Sequence, residues 1–198
     1  MRIPSAPQLV LLLFLGGIFV HFMAAGGRTF AFSKGAGDEL VPNLVLLDFI
    51  MGGTLTTWML GLFYLPIATI NGIAAAVLLV ISVGLYEWAR HTIWRLRFGI
   101  AFAEQVPEAV CSEGPYRRVR HPIYFSYLVA YLAVLVALPH WLTATVFGVN
   151  IALFVYAAHD DERNFAASAL AADYATYRER TGMFLPRLSR PAPGRWTP

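Results

Sequence analysis

The chain has 198 residues, of which 58% are hydrophobic and only 14% charged, and its mean hydropathy is +0.58. Soluble domains carry about 25% charged residues, so this composition excludes an ordinary water-soluble globule and calls for lipid around much of the apolar surface. A single cysteine, Cys111, excludes an internal disulfide and any multi-cysteine zinc or iron-sulfur site, and where the net charge of +3 is placed matters more than its size.

Residues 9–27 carry no charge, and His21 is their only ionisable group; the stretch is long enough to span a bilayer. A cleaved signal peptide is the alternative, since Arg2 precedes the apolar run and Ala24-Ala25-Gly26 would suit a peptidase. Residues 49–70 form a second span, with Asp48 at its entry and Pro66 near its exit. Asn71-Gly72 predicts a tight turn. Residues 73–86 follow as a third span, Glu87 and Arg90 marking the return to water. After the polar stretch 91–121, the apolar runs 123–138 and 142–158 are separated only by Pro139, His140 and Trp141, which predicts a helical hairpin. Both are shorter than the usual span of about 20 residues.

Phe165, Ala169, Leu170, Tyr174 and Tyr177 then recur at one-turn spacing, with Asp173, Arg178 and Arg180 off the stripe. This predicts an amphipathic helix at the membrane surface. Prolines 186, 191, 193 and 198 stand among arginines and predict an extended tail. The expected fold is therefore all-α: a polytopic membrane helical bundle of about five transmembrane helices plus a C-terminal amphipathic helix. It contains no Rossmann domain, because Gly35-Ala36-Gly37 is followed by Leu40 where a third glycine would stand.

Charge placement is independent of the helix count. Five spans put fourteen of the fifteen Lys and Arg residues, all but Arg2, on one face. By the positive-inside rule that face is cytosolic and the N-terminus lies outside.

The densest polar cluster is Gly114-Pro115-Tyr116-Arg117-Arg118-Val119-Arg120-His121-Pro122-Ile123-Tyr124, directly before the fourth span. Gly114-Pro115 is a turn signal, and Pro122 suits a helix's first turn, where its missing N–H is not needed. Arg117, Arg118 and Arg120 would serve as interfacial anchors on lipid phosphates, with Tyr116 and Tyr124 in the aromatic belt. Anchoring alone does not call for two prolines and a histidine among them.

This string resembles the signature of the isoprenylcysteine carboxyl methyltransferase family and its relatives, which include phospholipid N-methyltransferases. A second element is similar to one that follows the family's last span: here Glu162, Tyr174, Tyr177, Arg180 and Pro186 stand in the same order. The resemblance covers about the last 100 residues. It implies residues 1–90 as N-terminal transmembrane helices and 91–198 as a methyltransferase core using S-adenosylmethionine. It also implies a cofactor site of Glu108, Ala109, Val110, Cys111, Tyr116, His121, Pro122, Ile123, Tyr124 and Glu162. Both elements fall on the face that the charges make cytosolic.

S-adenosylmethionine offers a carboxylate, an ammonium, a ribose diol, an adenine ring and a sulfonium methyl. A site for it needs cationic or backbone donors, an acidic acceptor, an apolar slot and a line to the nucleophile. Glu162 would accept from the ribose or the ammonium, and for an amine or thiol acceptor His121 or Glu162 would take the proton. The family's prenylcysteine enzymes carry an arginine one turn before that glutamate, whereas this chain has Ala158 and then His159. The partner of the second family acid is Arg163, unless the acidic pair is Asp161 and Glu162. These departures put a prenylcysteine carboxylate in doubt as substrate. The expected acceptor is a lipid amine, as for a phospholipid N-methyltransferase, a small thiol, as for an S-methyltransferase, or another lipophilic or amphipathic molecule entering from the bilayer, with membrane lipids as surroundings and no nucleic-acid partner. Two other classes compete. His21, His91, His140 and His159 would serve a haem- or metal-binding protein, although no two are spaced one turn apart, and a non-catalytic membrane module would keep the fold without the chemistry.

Overall fold

A computed structural model describes residues 8, 9, 16, 67–96 and 109–187. The first two expected spans, Glu108, His21 and the tail beyond residue 187 lie outside the described residues, apart from the helical positions Gln8, Leu9 and Gly16.

The described part is helical. α1 is Thr69–Leu96, a single 3-10 turn covers Gly114–Arg117, α2 is Pro122–Ala137, α3 is Trp141–Ala166 and α4 is Ala171–Arg180. Among the described residues there is no strand, only an isolated parallel bridge between Val119 and Gly182. Two helices, α1 over Thr69–Arg95 and α3, are long and apolar enough to cross a membrane, while α2 is a shorter apolar helix. At 1.5 Å per residue, the 16 residues of α2 extend about 24 Å.

The chain divides into two compact units, Met1–Val83 with Leu128–Ala152, and Gly84–Tyr127 with Leu153–Pro198. In the first, small and aliphatic residues turn inward: Ala75, Leu79 and Ser82 of α1, and Ala133, Val134 and Ala137 of α2, are all buried. Ile70, Ile73, Val77, Val80 and Ile81 of α1 point outward. Apolar side chains outside and small ones inside are the arrangement that lipid-facing helices favour. The α2–α3 hairpin is as short as expected. Thr143 donates from its hydroxyl to the Leu138 carbonyl, and the ring Nδ1 of His140 accepts from the Leu142 N–H at 3.2 Å, satisfying one of the first amides of α3.

Three boundaries differ from expectation. Asn71-Gly72 is not a turn but part of α1, with the Gly72 N–H donating to the Ala68 carbonyl at 3.0 Å. One glycine costs a helix only about 1 kcal/mol, too little to break a 28-residue run. α1 also continues ten residues past Tyr86, because Glu87 and Arg90 pair with each other along its surface at 2.6 Å instead of ending it. Likewise α3 runs on from Ala158 to Ala166 and carries the acidic cluster on its last turns.

The second unit places the polar residues. The stripe expected as one amphipathic helix from Phe165 is interrupted at 167–170, where the Ser168 hydroxyl accepts from the Leu170 N–H at 3.1 Å. Phe165 closes α3, and its ring stacks on Tyr174 of α4 at 4.5 Å. Tyr174 is buried, so part of the stripe packs onto protein.

Candidate functional site

Gly114 opens the 3-10 turn at φ +52°, a conformation that disfavours any side chain. A Cβ there would also collide with the Thr92 side chain of α1. Pro115 follows at the second position of the turn, and Tyr116 is buried with Ala89 and Ile93, against which Cys111 and Ile123 also pack. Burial pushes the Tyr116 phenol well up and raises the Cys111 thiol, even though the Glu113 backbone bonds to it.

Main-chain pairing then joins the two ends of the functional segment. Gly182 N–H donates to the Arg118 carbonyl at 3.1 Å, Arg120 N–H to Gly182 at 2.8 Å, and His121 N–H to Met183 at 3.0 Å. Gly182 is required there, since a Cβ would run into the Leu185 carbonyl. Tyr177 of α4 adds a side-chain tie: its hydroxyl donates to the Tyr116 carbonyl at 2.7 Å.

Arg120 is buried, with a side chain 7% exposed. Its Nε donates to Glu162 Oε1 at 2.7 Å, and its Nη1 donates to the carbonyls of Thr181 at 2.5 Å and Arg178 at 3.3 Å. It therefore neutralises a buried carboxylate and satisfies carbonyls at the C-terminus of α4, where a cation is favoured. The sequence offers it as a lipid anchor; only Arg117 and Arg118 are exposed in that way.

His121 lies between two acids. Its Nδ1 is 3.8 Å from Asp161 Oδ2 and its Nε2 is 3.4 Å from Glu162 Oε1. Nε2 is buried, and among the described residues it meets Glu162 only in this longer charge contact and makes no well-formed hydrogen bond. The imidazole stacks on Tyr124 at 5.5 Å and 3° and packs near Phe184. Tyr124 donates its hydroxyl to Asp161 Oδ2 at 2.9 Å.

Of the expected site residues, the structure gathers Tyr116, His121, Tyr124 and Glu162 with the intervening Pro122 and Ile123, and brings Cys111 against Tyr116. Ala109 and Val110 precede Cys111 in irregular chain; among the described residues, positions 109–112 make no main-chain hydrogen bond to other backbone. Ala158 is fully buried and Arg163 exposed. Sequence reasoning missed the burial of Arg120, the role of Asp161, and the positions of Thr92, Gly182 and Phe184. The adjacency of Asp161 and Glu162 was the available signal. Among the described residues no three His, Cys, Asp or Glu side chains form a group that could hold a metal ion.

Among the described residues, the fold is helical, with two helices suited to a membrane and a buried ionic network. No family model matches the chain. It is 29% identical over 111 residues to the Cobalt-zinc-cadmium resistance protein CzcN of Cupriavidus metallidurans, an alignment covering 56% of this chain and 51% of that protein. The chain thus spans about half the length of the curated relative it matches.

Proposed function

We propose that the chain is an integral membrane methyltransferase that moves a methyl group from S-adenosylmethionine to a lipophilic or amphipathic acceptor. The observation that carries this reading is that the two elements singled out in the sequence, 42 residues apart at Arg120 and Glu162, meet in one buried hydrogen-bonded cluster. Anchoring to lipid headgroups would leave Arg120 exposed, as Arg117 and Arg118 are.

The residues suit the ligand. Oε1 of Glu162 is taken by Arg120, but among the described residues Oε2 has only Arg178, at 3.6 Å, which leaves lone pairs for a ribose hydroxyl or an ammonium. Arg178, 60% exposed, is free to turn its guanidinium toward a carboxylate. The main chain at Ala109, Val110 and Cys111, which bonds to no other backbone among the described residues, offers donors and acceptors to an adenine edge, with Glu108 next to it in sequence. Tyr116, Pro122 and Ile123 supply apolar surface, and the orphaned Nε2 of His121 is a polar atom in need of a partner. When bound, the cofactor supplies an electrophilic methyl on a sulfonium; the chain's task is to position and to exclude water. In this reading five spans cross the membrane, the N-terminus is outside, and the cluster faces the cytosol, where the cofactor is made.

Calorimetric titration with S-adenosylmethionine, repeated on His121→Ala and Glu162→Ala, tests the site. Weakened binding in both variants is expected, and unchanged binding in both removes these residues from the cofactor. The similarity to a cobalt-zinc-cadmium resistance protein favours a second, compatible reading in which the reaction serves tolerance of those cations. Equal growth of deletion and parent strains on graded cobalt, zinc and cadmium would end it.

A further inference from the structure

Two neighbouring acids on the last turns of α3 have unlike surroundings. Glu162 takes Arg120 at 2.7 Å and Arg178 at 3.6 Å. Asp161 has neither: among the described residues its contacts are the Tyr124 hydroxyl at 2.9 Å and His121 Nδ1 at 3.8 Å, both at Oδ2. Its carboxyl is 16% exposed against 5% for Glu162, and Oδ1 accepts no hydrogen bond among the described residues. The other charged or titratable groups close enough to act on it are Asp160 and Glu162 on its own helix and Tyr174 on α4. Acids whose environments differ this sharply divide into a charge-neutralised member and a proton-accepting one.

Resting on the methyltransferase reading, we propose that Asp161 takes the proton of the methyl acceptor, which therefore attacks through a nitrogen or sulfur that carries a proton and not through a carboxylate. Three observations converge on this. The carboxyl is held in place by Tyr124 through Oδ2, while Oδ1 accepts no hydrogen bond among the described residues. Ala158, one turn before Glu162, is fully buried and brings no charge. Arg120, the buried cation nearby, is consumed by Glu162 and two carbonyls. A carboxylate acceptor would meet a second carboxylate with no uncommitted buried cation among the described residues to hold it, the exposed Arg178 serving the cofactor's own carboxylate in this reading, whereas an ammonium or thiol meets its complement.

The N–H or S–H proton passes to the Asp161 carboxylate, and the freed electron pair forms the bond to carbon. The carbon–sulfur bond of the sulfonium donor breaks, and its electrons stay on sulfur as a neutral thioether. For an ammonium acceptor the product is the N-methylated ammonium, and for a thiol it is the methyl thioether.

The test combines transfer of radiolabelled methyl from S-adenosylmethionine to octylamine, octanethiol and octanoate with calorimetric binding of S-adenosylhomocysteine, on detergent-solubilised full-length protein. Octylamine, octanethiol or both should be labelled and octanoate not. Asp161→Asn, which keeps the shape, should lose about 100-fold in rate at pH 7. It should then recover about tenfold per pH unit toward pH 9, as solution deprotonates the acceptor instead, while S-adenosylhomocysteine affinity stays within about threefold. Tyr124→Phe keeps the carboxyl and should show no such climb with pH. Labelling of octanoate, labelling of none of the three, an Asp161→Asn rate equal to the parent's, or loss of S-adenosylhomocysteine affinity in that variant each overturns the assignment. Failure of the parent protein to bind S-adenosylhomocysteine would sink the methyltransferase reading itself, a separate result.

Discussion

Gly114 stands where positive φ and the side chain of Thr92 both exclude a Cβ, so Gly114→Ala tests local packing with a single methyl group. The left-handed conformation alone costs a non-glycine residue about 1–2 kcal/mol, and the contact adds to it. The expected outcome is a clear drop in Tm, larger than that of an alanine placed at the uncrowded Gly148, and it would be read by thermal unfolding in detergent. Cys111 supports a pH argument. Burial, opposed by the bond to the Glu113 backbone, raises the folded thiol above its unfolded value, so the folded protein holds less thiolate at any pH between the two. Iodoacetamide at pH 8 should therefore alkylate the folded protein more slowly than the unfolded one, the gap closing as pH rises past the folded pKa. Since the neutral thiol is the favoured form, any stability this group contributes is present at low pH and fades as pH rises through the unfolded pKa and beyond. At this scale the sequence was informative about residue type and silent about partners. Gly114 and Pro122 declared turn and helix start, whereas Arg117, Arg118 and Arg120 look alike until the fold buries one of them.

Among the elements, Arg120 and Glu162 join three: the segment before α2, the end of α3 and the end of α4. Removing one member of a buried pair costs about 3–5 kcal/mol, because the other is left without its partner. Arg120→Met and Glu162→Gln should each be severely destabilising, and the double variant less so than their sum, a non-additivity measurable as a coupling energy in denaturant titrations. Additive losses would show that the two groups do not depend on each other. Tyr177→Phe loses one hydrogen bond to the Tyr116 carbonyl and should cost about 1 kcal/mol. The α2–α3 hairpin was legible because two apolar runs flank a proline-bearing loop of three residues. The ends of α1 and α3 were not. Charged residues mark where a helix leaves an apolar environment, and an i,i+3 pair such as Glu87–Arg90 lets the helix continue regardless. The split of the aromatic stripe into the end of α3 and the whole of α4 was hidden for a related reason: one-turn spacing persists across a short turn when Phe165 and Tyr174 are meant to stack.

For the whole molecule, composition and charge distribution specify the environment, and the buried cluster of the second unit suggests the chemistry. With the proposed five spans, fourteen of the fifteen basic residues would fall on one face, which makes a topological prediction. In sealed vesicles of known orientation, cysteines replacing the exposed residues Arg118 and His159 in a Cys111→Ser background should react with an impermeant maleimide only from the cytosolic side. Labelling of the two positions from opposite sides would break the topology. The central claim concerns the reaction, and it is tested most directly by incubating purified protein and a membrane lipid extract with S-adenosylmethionine carrying an isotopically marked methyl, then reading the extract by mass spectrometry. A marked methyl is expected on a lipophilic or amphipathic molecule, present with the parent protein and strongly reduced with Glu162→Ala. An extract with no marked product, or one labelled equally with and without the protein, would contradict it.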